Sequence, residues 1–253
     1  MQFGIRFFLN MEYLFLIILF IIAALYSSVG HGGASGYLAL MAIFGVEQYL
    51  MKSSALTLNL FVSGISFISF YKDGHFKFKV LLPFIITSIP MAFLGAKMNI
   101  DPKLYKTLLG IFLLIAVSRF FFSKKGEYEN SREPHFSAAM LIGAFIGFFS
   151  GMIGIGGGII LSPILLLLHW SNAKETAGIS ALFIFLNSTS GLIGLFHNQN
   201  FEPSSDIIFW AIIGLFGGLV GGLLSSRKLS HSNIKLLLTS VLLIASLKLF
   251  IFQ

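Results

Sequence analysis

Long apolar runs without charged residues recur from one end of the chain to the other, and they constrain its fold more than any other feature. Of the 253 residues, 56% are hydrophobic and 11% are charged, whereas about a quarter of the residues in a soluble domain are charged. The long runs have the roughly 20 residues that a helix needs to cross a bilayer. Alternating segments of about ten residues, which would indicate a membrane β-barrel, do not occur. The sequence therefore predicts an all-α integral membrane protein.

Hydropathy and helix breakers divide the chain into ten helical segments, five in each half. The first five are 11–29, 34–46, 50–71, 80–96 and 103–122. The second five are 136–153, 158–168, 174–196, 206–224 and 234–252. We therefore predict one membrane domain of eight to ten helical segments, with an N-terminal repeat at 1–122, a cytoplasmic linker at 123–135 and a C-terminal repeat at 136–253.

A cluster of glycine residues occurs twice, at positions that are about half the chain length apart. The two clusters read Gly30-His31-Gly32-Gly33-Ala34-Ser35-Gly36 and Gly154-Ile155-Gly156-Gly157-Gly158. Each cluster ends an apolar run and opens a run too short to cross a bilayer comfortably. Glycine adopts positive φ and exposes consecutive backbone N–H groups, and the helix N-terminus that follows favours an anion. Each cluster is thus predicted to begin a short half-helix that binds an anion near the midplane.

Glycines in membrane helices often serve only close packing, and this is the alternative for both clusters. The occurrence of two clusters at corresponding positions favours a ligand site instead. Five glycines in the ninth segment have no breaker or polar neighbour, and we predict that they serve packing. They are Gly214, Gly217, Gly218, Gly221 and Gly222.

A stripe of polar and small residues also repeats between the halves. Ser53, Thr57 and Gly64 correspond to Thr176, Ser180 and Asn187 at one constant separation, and each set lies on one face of a helix. We predict that the stripe lines the site. The alternative is that its hydroxyl groups bond back to their own helix.

The distribution of basic residues predicts that the two halves have opposite orientations in the membrane. The loop with Lys72, His75, Lys77 and Lys79 is basic, whereas its counterpart at 198–205 has no Lys or Arg. The loop that follows the ninth segment is also basic. Under the positive-inside rule both basic loops are cytoplasmic, and both termini are then outside. This orientation also accounts for the net charge of +7 without nucleic acid binding.

Titratable side chains are scarce inside the apolar runs. The acidic residues lie near segment ends or in loops, which argues against a carboxylate proton relay or a metal cage and suits an anion pathway. Lys52 and Glu175, at matching positions of the two halves, are the ones that could lie deeper. His31 could donate to an anion, carry a proton with it, or merely cap a helix end.

Two runs in the second half are distinctive, Gly151 to Pro163 (GMIGIGGGIILSP) and Ala177-Gly178-Ile179-Ser180. In these runs the chain resembles the sulfite exporter TauE/SafE family of bacterial membrane proteins. The first half, at Ser28 to Gly36 and Ala55-Leu56-Thr57, is similar to a more divergent copy, with Ala34 and Ala39 in place of a glycine and a proline. The resemblance covers nearly the whole chain. It implies efflux of small sulfur-containing anions across the bacterial inner membrane.

We therefore expect a secondary transporter or facilitator that exports sulfite, sulfoacetate or a related organosulfonate, with no enzymatic activity, cofactor or metal. The predicted substrate-binding residues are Gly30, His31, Gly32, Gly33, Ala34, Ser35, Ser53, Thr57, Gly154, Gly156, Gly157, Gly158, Thr176, Ser180 and Asn187. The expected partners are the anion and the lipid bilayer, and a homodimer stays open. The alternatives are proton-coupled anion uptake and a rhomboid-like intramembrane serine protease that uses Ser35 in the sequence GASG.

Overall fold

The computed structural model describes residues 2–28, 30–122, 132–197, 204–224 and 242–251. Within these ranges there are ten helices and no strand, so the all-α prediction is confirmed. The helices are α1 Gln2–Ser28, α2 Ala34–Phe44, α3 Gln48–Lys72, α4 Phe78–Lys97, α5 Pro102–Phe122, α6 Phe136–Ile153, α7 Gly158–Leu167, α8 Ala173–His197, α9 Ser205–Leu224 and α10 Leu242–Ile251.

Helix length separates two kinds of element. In the described ranges α3, α4, α6, α8 and α9 are long and apolar enough to cross a membrane. The helices after the glycine clusters are much shorter, with 11 residues in α2 and 10 in α7. At 1.5 Å per residue such a helix is about 15 Å long, which is half of a bilayer core of about 30 Å. The prediction of short half-helices after the breaks is therefore confirmed.

The helices of the two halves are interleaved. The most extensive helix pairs are α4 with α6 and α1 with α9, and each pair joins one helix from either half. The counterparts in the two halves are α1 and α6, α3 and α8, and α4 and α9. If each helix is replaced by its counterpart, the pair α4–α6 becomes α9–α1, and the pair α3–α9 becomes α8–α4. A twofold relation between the halves would produce this pattern. Residues 198–203 and 225–241, which include the two loops of the charge argument after the eighth and ninth segments and the start of the tenth predicted segment, lie outside the described residues. The opposite orientation of the halves therefore stays a prediction.

Glycines make the close approach of these pairs possible. Along α6, Gly143, Gly147 and Gly151 lie one turn apart, and a Cβ at any of them would overlap a backbone carbonyl group of α4. In α9, Gly217 and Gly221 face carbonyl groups of α1 in the same way, and the other three glycines of that helix face side chains of α3. The five glycines of the ninth segment therefore serve helix packing, as predicted.

Candidate functional site

Both glycine clusters break the helix with left-handed glycines at two matching positions. Gly30 and Gly154 follow the ends of α1 and α6 with φ of +78° and +90°. Gly33 and Gly157 are the N-caps of α2 and α7, with φ of +91° and +79°. Side chains other than hydrogen are strongly disfavoured at such positive φ values. Gly156 is a third left-handed residue of the second cluster, with φ of +76°, whereas φ at Gly32 is not in the left-handed region. At the two shared positions, a left-handed glycine ends one helix and another begins the next.

The starts of α2 and α7 present backbone N–H groups that have no acceptor in the helix. The first backbone hydrogen bond of α2 runs from Tyr37 to the carbonyl of Gly33, and α7 begins with bonds from Ile160 and Leu161 to Gly157. Within the described part of the chain, the preceding N–H groups, at 32–36 and 156–159, make no backbone hydrogen bond. Such groups, together with the positive end of the helix dipole, attract anions.

The two clusters meet at one pair of side chains, Asn59 of α3 and Ile184 of α8. A Cβ added at Gly32 would lie 2.7 Å from Asn59 Oδ1 and from Ile184 Cγ2. A Cβ added at Gly156 would lie 2.6 Å from Asn59 Nδ2 and 2.9 Å from Ile184 Cγ2. The glycines of both clusters therefore allow close approach to the same amide group, from either half of the chain.

Asn59 was not among the predicted site residues, although it is central to this arrangement. Its side chain is fully buried, its Nδ2 donates to Ser188 Oγ at 3.1 Å, and its Oδ1 has no hydrogen-bond partner in the described residues. A buried polar atom without a partner is costly, and polar residues within membrane helices often mark a transport pathway. The sequence carried a signal for it, since Asn59 is a polar residue within the apolar run of α3.

His31 links the first cluster to α7. Its Nε2 lies 3.0 Å from Ser162 Oγ, and Ser162 Oγ lies 2.8 Å from Ser180 Oγ and 2.7 Å from the carbonyl oxygen of Gly158. A serine hydroxyl has one proton to donate, and a carbonyl oxygen can only accept, so His31 and Ser180 donate to Ser162 whenever that proton goes to Gly158. All three side chains are buried. Ser162 was not predicted, although it lies in the GMIGIGGGIILSP run.

Ala34 and Ser35 lie in the buried first turn of α2. The hydroxyl group of Ser35 is 2.8 Å from the phenol oxygen of Tyr26 in α1. Gly158 occupies the equivalent start of α7, where a Cβ would overlap Ile184. The first turns of both half-helices are therefore packed tightly against the surrounding long helices.

The polar stripe is brought to the clusters only in part. Ser53 and Thr57 donate to carbonyl groups of their own helix, the bonding pattern of the alternative interpretation. Thr176 Oγ1 lies 2.6 Å from Ser171 Oγ near the start of α8, and Asn187 Nδ2 donates to Phe183 at 2.8 Å. Ser180 is the stripe residue whose hydroxyl bonds to a residue of α7. A role in binding stays a prediction for all five residues.

Lys52 and Glu175, the two charged residues that could lie deeper in the membrane, have different surroundings. The side chain of Lys52 is 7% exposed, and its Nζ donates to the carbonyl oxygen of Ala96 at 2.8 Å. Glu175 forms an ion pair of 2.8 Å with Lys77, so the basic loop before α4 is held against the start of α8. Cavities of about 400 and 330 Å³ lie elsewhere, one lined by Lys77 and Trp170 and the other by Thr57. A Cβ added at Gly32, Gly156 or Gly158 would lie within 2.7 Å of a neighbouring side chain, so the structure around these glycines is closely packed.

Comparison with known proteins places the chain among membrane transporters. The family model described as Sulfite exporter TauE/SafE matches residues 14–249. A probable membrane transporter protein of Sinorhizobium fredii, y4hK, is 36% identical over 91% of this chain and 94% of its own length. The probable membrane transporter protein YjnA of Bacillus subtilis is 25% identical over 90% of this chain and 95% of its own length. No solved structure matches the chain.

Proposed function

The chain belongs to the TauE/SafE family of membrane transporters, and from that premise we propose that it exports a small sulfur-containing anion such as sulfite, sulfoacetate or a related organosulfonate. It is a multi-pass membrane protein, and its family consists of transporters rather than enzymes. Membership of a transporter family argues against an intramembrane serine protease, and the hydroxyl group of Ser35 lies 2.8 Å from the phenol oxygen of Tyr26.

One observation carries the proposal of an anion as substrate, namely that the N-termini of two half-helices approach the same buried amide. The N–H groups of Gly32 and Gly33 in one half and of Gly156 and Gly157 in the other are the proposed donors to the anion. Two helix dipoles add partial positive charge near the midplane. An oxyanion, with several acceptor oxygens, matches such a set of donors.

Export of an anion needs no chemical energy source. With a negative cell interior, the membrane potential favours the exit of each negative charge by about 2.3 kcal/mol per 100 mV. The sequence contains no glycine-rich nucleotide-binding pattern of the P-loop type. A facilitator that opens alternately to either side would be sufficient for efflux.

Reconstitution tests this proposal. Purified protein in liposomes is given sulfite, sulfoacetate, sulfate or chloride, and the electrogenic flux under an imposed potential is recorded. We expect sulfite or an organosulfonate to move fastest, and the same anion to raise the melting temperature of the protein in detergent. The proposal fails if none of the four anions moves and none stabilises the protein.

A second candidate is proton-coupled uptake, which the contact of His31 with Ser162 favours because it places a titratable ring between the two half-helices. Uptake against the membrane potential needs such a coupling. In the same liposomes, an inward proton gradient without a potential would then drive accumulation of the anion. Flux that follows the potential and ignores the proton gradient would exclude this second candidate.

A further inference from the structure

Lys52 is a buried cation close to the second glycine cluster. It is the fifth residue of α3, and its side chain is 7% exposed. The ammonium group has three N–H donors, and one of them reaches the carbonyl oxygen of Ala96 at 2.8 Å. In the described part of the chain, no carboxylate lies within ion-pair distance of Nζ. The positive charge is therefore removed from water without a counter-charge among the residues that the structure describes.

The backbone and side-chain stem of Lys52 lie against Gly154, the glycine that ends α6 and begins the second cluster. A Cβ at Gly154 would lie 3.1 Å from the carbonyl oxygen of Lys52 and 3.2 Å from its Cγ. Ala96 is the last residue but one of α4. The ammonium group thus lies where the start of α3, the end of α4 and the break after α6 come together.

Helix capping explains the bond of Lys52 to Ala96 but not its burial. Lys248 of α10 makes the same kind of bond, from its Nζ to the carbonyl oxygen of Ile43, the last residue but one of α2, at 2.6 Å. Cations are favoured at such helix C-termini. Lys248 is only half-buried, however. Its acceptor, Ile43, lies ten residues after Gly33, at the opposite end of α2 from the first glycine cluster. A lysine can therefore cap a helix end in this fold without being enclosed.

The matching position in the other half also sets Lys52 apart. Glu175 occupies it, and its carboxylate has a counter-charge in Lys77 at 2.8 Å. Of these two charged residues at related positions, Glu175 has a counter-charge, whereas Lys52 has none within the described residues. A charge among membrane helices that has no counter-charge commonly belongs to a substrate or ion pathway. The missing counter-charge at Lys52 is negative, which is the charge of the proposed substrate.

We propose that Lys52 is a substrate-binding residue, and that its ammonium group donates to an oxygen of the transported oxyanion as the anion passes the second glycine cluster. This inference rests on the proposed function. It adds a full positive charge to a site otherwise built from backbone N–H groups and neutral side chains. The bond to Ala96 positions the ammonium group between passages of the anion.

The test compares two lysines that both cap a helix end. Lys52→Gln keeps a donor for the carbonyl group of Ala96 and removes the charge, Lys52→Arg keeps the charge, and Lys248→Gln is the matched control. Sulfite flux in liposomes gives the half-saturating concentration and the maximal rate of each variant. We expect Lys52→Gln to raise the half-saturating concentration by about tenfold or more, the loss expected for one charge-assisted hydrogen bond. Lys52→Arg and Lys248→Gln should stay within about threefold of the parent.

Sulfite-dependent shifts of the melting temperature provide a second readout that a purely structural role would not change. If Lys52→Gln melts earlier but keeps the parental half-saturating concentration and sulfite shift, Lys52 is a capping residue and the inference is overturned. If Lys52→Gln does not fold, Lys52→Met replaces it with the same criteria, and loss of sulfite binding in Lys52→Arg would also contradict the inference. Absence of flux and of anion-dependent stabilisation in the parent protein would instead refute the proposed function.

Discussion

Glycine is required for different physical reasons at different positions of the two clusters, either by the backbone conformation or by the space available for a side chain. Gly33 and Gly157 are required by their positive φ, whereas Gly32 is required by space, since φ there is not positive and its neighbours Asn59 and Ile184 lie within 2.7 Å of an added Cβ. Gly45 is the opposite case, with φ of +75° and nothing within 4 Å of an added Cβ. Substitutions of Gly32 and Gly45 therefore test close approach and backbone strain separately.

We expect Gly32→Ala to reduce anion flux by about tenfold or more, because the added methyl group displaces the amide of Asn59 from between the clusters. Gly45→Ala should cost only about 1 kcal/mol of stability through backbone strain and leave the flux unchanged. Flux in liposomes and thermal unfolding in detergent measure the two effects. Parental flux in Gly32→Ala would mean that the contact of the clusters with Asn59 is packing alone.

His31 offers a second test at the level of one side chain. His31→Gln keeps a donor for Ser162 but cannot titrate. Ser162→Ala keeps the imidazole and removes only its contact with the hydroxyl group of Ser162. If His31 carries a proton with the anion, flux of the parent should vary between about pH 5 and 8, and flux of His31→Gln should not. The same pH profile in parent and His31→Gln would assign His31 a purely structural hydrogen bond.

At the scale of the elements, the half-helices were predictable because glycine spacing is a local backbone signal that needs no knowledge of the partners. The contacts between elements were not predictable in the same way. The stripe residues Ser53 and Thr57 share a helix face, but periodicity does not tell whether a hydroxyl group bonds across or back to its own helix. The contact of His31 with Ser162, and the place of Asn59 between the clusters, depend on how α3, α7 and α8 pack.

Glycine packing between α4 and α6 makes an element-scale prediction. A Cβ at Gly147 would overlap the carbonyl oxygen of Ser88, whereas a Cβ at Gly64 in α3 would make an ordinary contact of 3.5 Å with Phe185. We expect Gly147→Ala to lose about 1–3 kcal/mol of stability through overpacking. Gly64→Ala should be neutral or slightly stabilising, because alanine favours the helix. Equal melting temperatures of the two variants would contradict the close approach of α4 and α6.

For the whole molecule, the exchange symmetry of the helix contacts supports two related halves, and the opposite orientation of these halves can be measured directly. The chain contains no cysteine, so single cysteines can be introduced without a background. Asp73 follows α3 and Ser205 begins α9, and both residues are exposed. If the halves are inverted, Asp73→Cys should react with a membrane-impermeant maleimide from the cytoplasmic side only, and Ser205→Cys from the outer side only. Reaction of both from the same side would contradict the inversion.

The pairing of α1 with α9 also determines when the protein can complete its fold during synthesis. The hydroxyl group of Ser27 donates to the carbonyl oxygen of Gly218, a residue 191 positions later. At about 5–20 residues per second, the ribosome adds α9 roughly 10–40 s after α1. In that interval the carbonyl groups of α1 that face α9 in the finished protein have no partner helix. A chain truncated after α8 should therefore be a substrate for membrane quality-control proteases, although it already contains both glycine clusters.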